Sequence, residues 1–179
     1  MSLDTAPRQA TPDDHQTIID LIEEASAWLA NRDTDQWAKP WPSKAERDER
    51  IMRALRCDET WLLEDGPRLV ATVTLRRAGL PFLWTPEELE EPAAYVHRLV
   101  VARSYAGMEI GASLLDWATE RAVRDWGAEW TRVDVWRTNR KLHAYYERLG
   151  FHLVRHGDDI PDYPSSRLFQ RAVHAPAGA

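Results

Sequence analysis

Apolar residues recur at steps of three and four over Ile18, Leu21, Ile22, Ala25, Trp28 and Leu29, the spacing that lines one face of an α-helix. Thr11-Pro12-Asp13-Asp14 stands before that run as a helix start. It offers a hydroxyl for the N-cap, proline at the first helical position and acidic residues beside the positive end of the dipole. The pattern predicts a helix over 12–31, preceded by a short edge strand at about 7–10. Residues 31–42 break the repeat with Trp37, Pro40, Trp41 and Pro42 and read as a loop. Ser43 then caps a second helix, which Ile51, Met52 and Leu55 carry on one face to about Arg56.

From Thr60 the repeat falls to two. Trp61–Glu64 and Leu69–Leu75, joined through Asp65-Gly66-Pro67, predict a β-hairpin. A proline-bearing connection over 81–92 leads to a third strand at Tyr95–Val101. After a glycine-bearing turn, Ile110, Leu114, Leu115, Trp117, Ala118, Ala122 and Val123 predict a long helix closed by a left-handed Gly127. A strand over Thr131–Trp136, a short helix over 139–148 closed by Gly150, and closing strands at Leu153-Val154 and Leu168-Phe169 complete the pattern. The order β-α-α-β-β-β-α-β-α-β-β implies an α/β fold with a mixed, mostly antiparallel sheet flanked by helices. The last six residues, HAPAGA, read as a frayed tail.

A chain of 179 residues fits one domain. The net charge of −6 removes any general attraction to nucleic acid or an anionic membrane, so an anion site has to be local. Mean hydropathy is −0.54, and no apolar stretch approaches the roughly 20 residues a membrane-spanning helix needs. The N-terminus has neither a basic stretch nor an apolar run, so no secretory signal is expected and a cytoplasmic setting follows. With Cys57 alone there is no internal disulfide, and no His, Cys or carboxylate grouping has metal-ligand spacing, so no metal is expected. Arginine far outnumbers lysine, but the arginines are spread along the chain and are expected to pair with acids at the surface.

Two segments carry chemistry. The strand at 95–101 runs through Arg103 into Ala106-Gly107-Met108-Glu109-Ile110-Gly111-Ala112 and a long helix, which sets free backbone N–H groups where a phosphate can sit. Further on, a strand leads into Asn139, a short helix and Tyr146, with Gly150-Phe151 following. Over roughly 8–172 the two together resemble the GNAT superfamily of acyl-coenzyme A dependent N-acetyltransferases. In that family a Tyr precedes a Gly-Phe pair by four residues, as Tyr146 precedes Gly150.

The resemblance implies one N-acetyltransferase domain, with its core at about 8–172, that passes an acetyl group from acetyl-CoA directly to an amine. It implies that Tyr146 is the acid for the coenzyme A sulfur. His97 stands where the family often carries the glutamate that serves as base, and imidazole, with a reference pKa of about 6.5, suits that work. The two-residue repeat puts His97, Leu99 and Val101 on one face. Main-chain groups of Leu99 and Val101 are implied to hold pantetheine, Ala106, Gly107, Met108, Glu109, Ile110, Gly111 and Ala112 to hold the pyrophosphate, and Asn139 to touch the cofactor. Arg103 and Arg140 are kept for the 3′-phosphate. The family's loop reads Gln/Arg-x-x-Gly-x-Gly/Ala. Ala106 and Glu109 depart from it while Gly111 matches, and Glu109, in the helix's first turn, is expected to point to water. Tyr145 reads as structural. Trp37 and Trp41, with Asp35 or Gln36 orienting the amine, are candidates to wall the acceptor pocket; Trp28 is a further candidate but reads first as core. The acceptor class is an amine-bearing small molecule or peptide, with no nucleic acid or membrane partner and a homodimer left open. The competing reading is a GNAT-like binding or regulatory module whose altered loop no longer binds cofactor productively, and a longer acyl donor also stays open.

Overall fold

The computed structural model describes residues 6–158, 160 and 162–173, so the expected tail over 174–179 lies outside the described residues. The elements are β1 (Arg8–Gln9), α1 (His15–Leu29, after a 3-10 turn at Pro12–Asp14), α2 (Lys44–Arg56), β2 (Thr60–Asp65), β3 (Arg68–Arg76), α3 (Pro86–Glu90), β4 (Ala93–Val101), α4 (Ile110–Trp126), β5 (Trp130–Val135), α5 (Arg140–Arg148), β6 (His152–Arg155) and β7 (Arg167–Ala172). The strand order is β1-β2-β3-β4-β5-β7-β6. β4 runs parallel to β5, and the pairs β1/β2, β2/β3, β5/β7 and β6/β7 are antiparallel, the mixed α/β sheet the pattern implies.

The connection expected over 81–92 holds a helix. Thr85-Pro86-Glu87-Glu88 repeats the chemistry of Thr11-Pro12-Asp13-Asp14: the Glu88 N–H donates to Thr85 Oγ1 at 3.3 Å, and the Thr85 N–H donates to the Glu88 carboxylate at 2.7 Å.

The chain divides into two compact units, one of residues to Leu75 with Arg98–Leu114, the other of Arg76–His97 with the residues from Leu115. In the first, Ile18, Leu21, Ile22 and Ala25 of α1 pack with Ile51 and Leu55 of α2, Leu62 of β2 and Val100 of β4. At its rim Arg8 bridges Asp14 and Glu64 at 2.8 and 2.7 Å, and its hydrogen bond brings the Asp14 carboxyl down to about 2. Arg98 takes a left-handed backbone, φ +47°, and donates to Thr74 Oγ1 at 3.1 Å. A non-glycine residue there costs roughly 1–2 kcal/mol and interrupts the pleat. The common face expected for His97, Leu99 and Val101 is therefore broken between the first and the second.

In the second unit, Leu83, Trp84, Ala93, Tyr95 and Leu168 form the core. Arg132 of β5 lies inside it with its side chain fully buried. The guanidinium reaches the Glu91 carboxylate, the Glu88 carbonyl, the Tyr95 hydroxyl at 3.0 Å and Gln170 Oε1 at 3.2 Å, and sits 4.9 Å from the Trp84 ring. Surface pairing describes Arg8, Arg53 and Arg171 and fails at Arg132, whose buried guanidinium is paired with the Glu91 carboxylate. Glu91→Gln removes the counter-charge of the buried cation but leaves its other acceptors, and with Glu91 itself 45% exposed it is expected to cost about 1–3 kcal/mol of stability in urea unfolding. A loss below about 0.5 kcal/mol would mean that the pair behaves as an exposed one.

Candidate active site

Because β4 and β5 are parallel with Val96 opposite Val133, the next residues along the two strands, His97 and Asp134, emerge side by side. His97 Nδ1 lies 2.8 Å from Asp134 Oδ1, and the two side chains are only 15% and 7% exposed. The other carboxylate oxygen accepts the Tyr163 hydroxyl at 2.9 Å. Burial by itself pushes the Asp134 carboxyl up. The His97 ring and the Tyr163 hydroxyl outweigh that and hold it below the ordinary carboxylate range. His97 Nε2 is buried and has no hydrogen-bond partner among the described residues.

Tyr146 belongs to the same unit. Asn139 caps α5, its Oδ1 accepting the Leu142 N–H at 3.0 Å, and the helix turns Tyr146 inward against Phe151 and Phe169, with ring centroids 5.4 and 6.4 Å away. Burial, then the neighbouring Tyr145 and Asp134, push the Tyr146 phenol well above its usual value, so it stays protonated at neutrality. Tyr145 is half-buried, edge-on to Tyr146 at 5.6 Å. Arg140 is exposed.

The cofactor-loop candidates lie in the first unit up to Ala112. Ala106, Gly107, Met108 and Glu109 are exposed, Ile110 is buried, and Gly111 and Ala112, like Leu99 and Val101, are half-buried. Gly107 and Glu109 both have positive φ, +81° and +57°. Glu109 is not in the first turn of α4 but stands at its cap, its carbonyl accepting the Ser113 N–H at 3.0 Å. It occupies a left-handed position without being glycine, and its side chain is exposed as expected. The first N–H groups of α4 have no acceptors within the helix.

Trp28 is not a core residue. It is half-buried, with the guanidinium of Arg32 at 3.5 Å and that of Arg103 at 3.7 Å from the ring centroid. Arg103 Nε is buried without a partner among the described residues, and the Arg103 main-chain N–H donates to Glu24 Oε1 at 3.2 Å. Trp37 packs on the first unit's core, and its carbonyl accepts the Ser26 hydroxyl at 2.8 Å. Gln36 is buried, Asp35 is exposed, and Trp41 is half-buried with the Arg50 guanidinium 5.1 Å from its ring.

His97, Asp134, Tyr163 and Tyr146 thus gather in the second unit, while the loop and tryptophan candidates belong to the first. Asp134 and Tyr163 escape a reading of the sequence. Asp134 could be found only from the parallel register of two strands, and Tyr163 sits in an irregular connection between β6 and β7.

A sequence model of the acetyltransferase (GNAT) family matches residues 25–151, which include β4, the glycine turn, α4 and α5. The chain belongs to this family. An uncharacterized N-acetyltransferase of Bacillus subtilis, YesJ, is 28% identical over 169 residues, 93% of this chain and 89% of that protein. Among solved structures, a GNAT acetyltransferase from Listeria monocytogenes shares the fold at 21% identity, covering 94% of each chain with a TM-score of 0.70. The PaiA N-acetyltransferase of Thermoplasma acidophilum, solved with coenzyme A, is 16% identical over 94% of this chain and 98% of that one, with a TM-score of 0.69. As a GNAT protein the chain is an acyl-CoA dependent N-acetyltransferase. No helix among the described residues is long and apolar enough to cross a membrane.

Proposed function

We propose that the chain moves an acetyl group from acetyl-CoA to the amine of a small molecule or peptide, with residues 8–172 acting as one N-acetyltransferase domain. The observation that carries this reading is the pairing, within one unit, of a buried imidazole with an unpartnered Nε2 and a phenol held in its protonated form. Acetyl transfer to an amine asks for a proton acceptor at the nitrogen and a donor at the sulfur.

In the reaction the neutral amine attacks the thioester carbonyl carbon, forming the C–N bond, and its surplus proton passes to His97 Nε2. The C–S bond then breaks with its electron pair on sulfur. The Tyr146 hydroxyl stabilises the thiolate and supplies its proton, which solvent returns. For the donor, Leu99 and Val101 offer main-chain groups to pantetheine, Ala106 to Ala112 and the first turn of α4 offer N–H groups to the diphosphate, and Arg103 and Arg140 offer charge to the 3′-phosphate. Asn139, which caps α5, is assigned a contact with the cofactor. The coenzyme A bound to the PaiA structure supports this choice of donor.

The assignment makes Glu109 decisive, since a carboxylate aimed at a diphosphate repels it. Exposed to water and salt, its charge is screened. Calorimetric titration is therefore expected to give wild-type binding of coenzyme A in the micromolar range, with Glu109→Gln changing Kd by less than about threefold. Binding by Glu109→Gln but none by the wild type would replace the enzyme with a module whose loop has lost its cofactor. A panel of small amines and peptides, followed by release of free thiol from acetyl-CoA, then identifies the acceptor.

A further inference from the structure

The two nitrogens of His97 are not equivalent. Nδ1 lies 2.8 Å from Asp134 Oδ1, and an ionised carboxylate only accepts hydrogen bonds, so Nδ1 must carry the hydrogen. The second Asp134 oxygen is taken by the Tyr163 hydroxyl at 2.9 Å, which fixes the carboxylate in its plane. Tyr163 is itself held, edge-on to Phe82 at 5.2 Å and packed against the core of the second unit. Nε2, across the ring, is buried with no partner among the described residues.

We propose that Asp134 and Tyr163 are positioning residues that lock His97 in one orientation and in the Nδ1–H tautomer, so that the lone pair on Nε2 is the base of acetyl transfer. When Nε2 takes the proton from the attacking amine, the ring becomes an imidazolium 2.8 Å from a carboxylate that is already ionised. Asp134 stabilises that charge without accepting a proton itself, and the proton leaves Nε2 for solvent once the amide has departed. Tyr163 adds a hydrogen bond that keeps Asp134 ionised and ties the connection between β6 and β7 to the base. The inference rests on His97 being the base.

Two-bond 1H–15N correlation spectra of 15N-labelled protein, taken where the ring is neutral, report the tautomer directly. The His97 signal is identified by its loss in His97→Gln. Wild type is expected to show a protonated Nδ1 and a bare Nε2, and Asp134→Asn to mix or reverse them, because an amide can also donate to Nδ1. Asp134→Asn is expected to lower kcat about 100-fold and to leave KM for acetyl-CoA within about threefold. Tyr163→Phe, which removes one hydrogen bond and leaves the Asp134 charge, is expected to lower kcat about 3- to 15-fold. A bare Nδ1 in the wild type overturns the proposal without any variant, so it remains testable if Asp134→Asn fails to fold. Loss of kcat in His97→Gln with wild-type kcat in Asp134→Asn overturns the positioning role alone. Wild-type kcat in His97→Gln removes the base itself, and the positioning role with it.

Discussion

Tyr146→Phe is expected to lower kcat by about 100- to 1,000-fold while KM for acetyl-CoA stays within about threefold. The ring makes its contacts with Phe151 and Phe169 through carbon, so phenylalanine keeps the packing and the fold. Only the hydroxyl is lost. Its partner, the sulfur, becomes a strong acceptor as the C–S bond breaks, so the interaction belongs to the transition state and not to the bound donor. The burial that holds the phenol protonated also makes complete proton transfer to the thiolate uphill in the resting site. The hydroxyl therefore acts first as a hydrogen-bond donor to developing charge. That places the expected loss within the range for removing one such donor, below the upper limit for full acid catalysis. Single-turnover kinetics with saturating acetyl-CoA measure it, and retention of more than about a third of the wild-type rate would make Tyr146 a packing residue.

The long helices are legible because one apolar stripe and a chemical cap at each end say the same thing. Ser43 accepts the Glu46 N–H at 3.2 Å, Asn139 accepts the Leu142 N–H, and Gly127 and Gly150 take φ of +68° and +83° where the pattern asks for left-handed residues. α3 has the same start signal but only five residues, too few for a period to show. β4 reads as a regular strand because nothing in the letters Val-His-Arg-Leu announces a left-handed arginine.

The site divides along the same line. Tyr146 and His97 stand in local motifs and can be picked out one at a time. Asp134 is flanked by Val133 and Val135, an alternation that describes a half-exposed strand position equally well. What makes it part of a site is the parallel pairing of β5 with β4, a non-local fact. Trp28 fails for a related reason. It lies on the apolar stripe of α1, yet its surroundings are set by Arg32 one turn on and by Arg103 after β4. Arg132 shows the converse, a charge whose burial depends on a helix the pattern does not reveal.

His97→Gln is expected to lower kcat/KM by about 100- to 10,000-fold at neutral pH and to flatten its pH profile. A base works only after losing its proton, so the wild-type kcat/KM should climb with rising pH. Neither neighbour can supply that climb. Asp134 is held below the ordinary carboxylate range and is already ionised, and Tyr146 is held above the ordinary phenol range and stays protonated. The acceptor titrates too, so the measurement uses an aryl amine that is already neutral across the whole window. With that acceptor the climb belongs to the enzyme. Glutamine is the better probe than alanine because its amide can still donate to Asp134, which keeps the buried carboxylate hydrogen-bonded and the variant folded. A variant of unchanged melting temperature that keeps both the wild-type rate and the wild-type climb would move the base from His97 to another group.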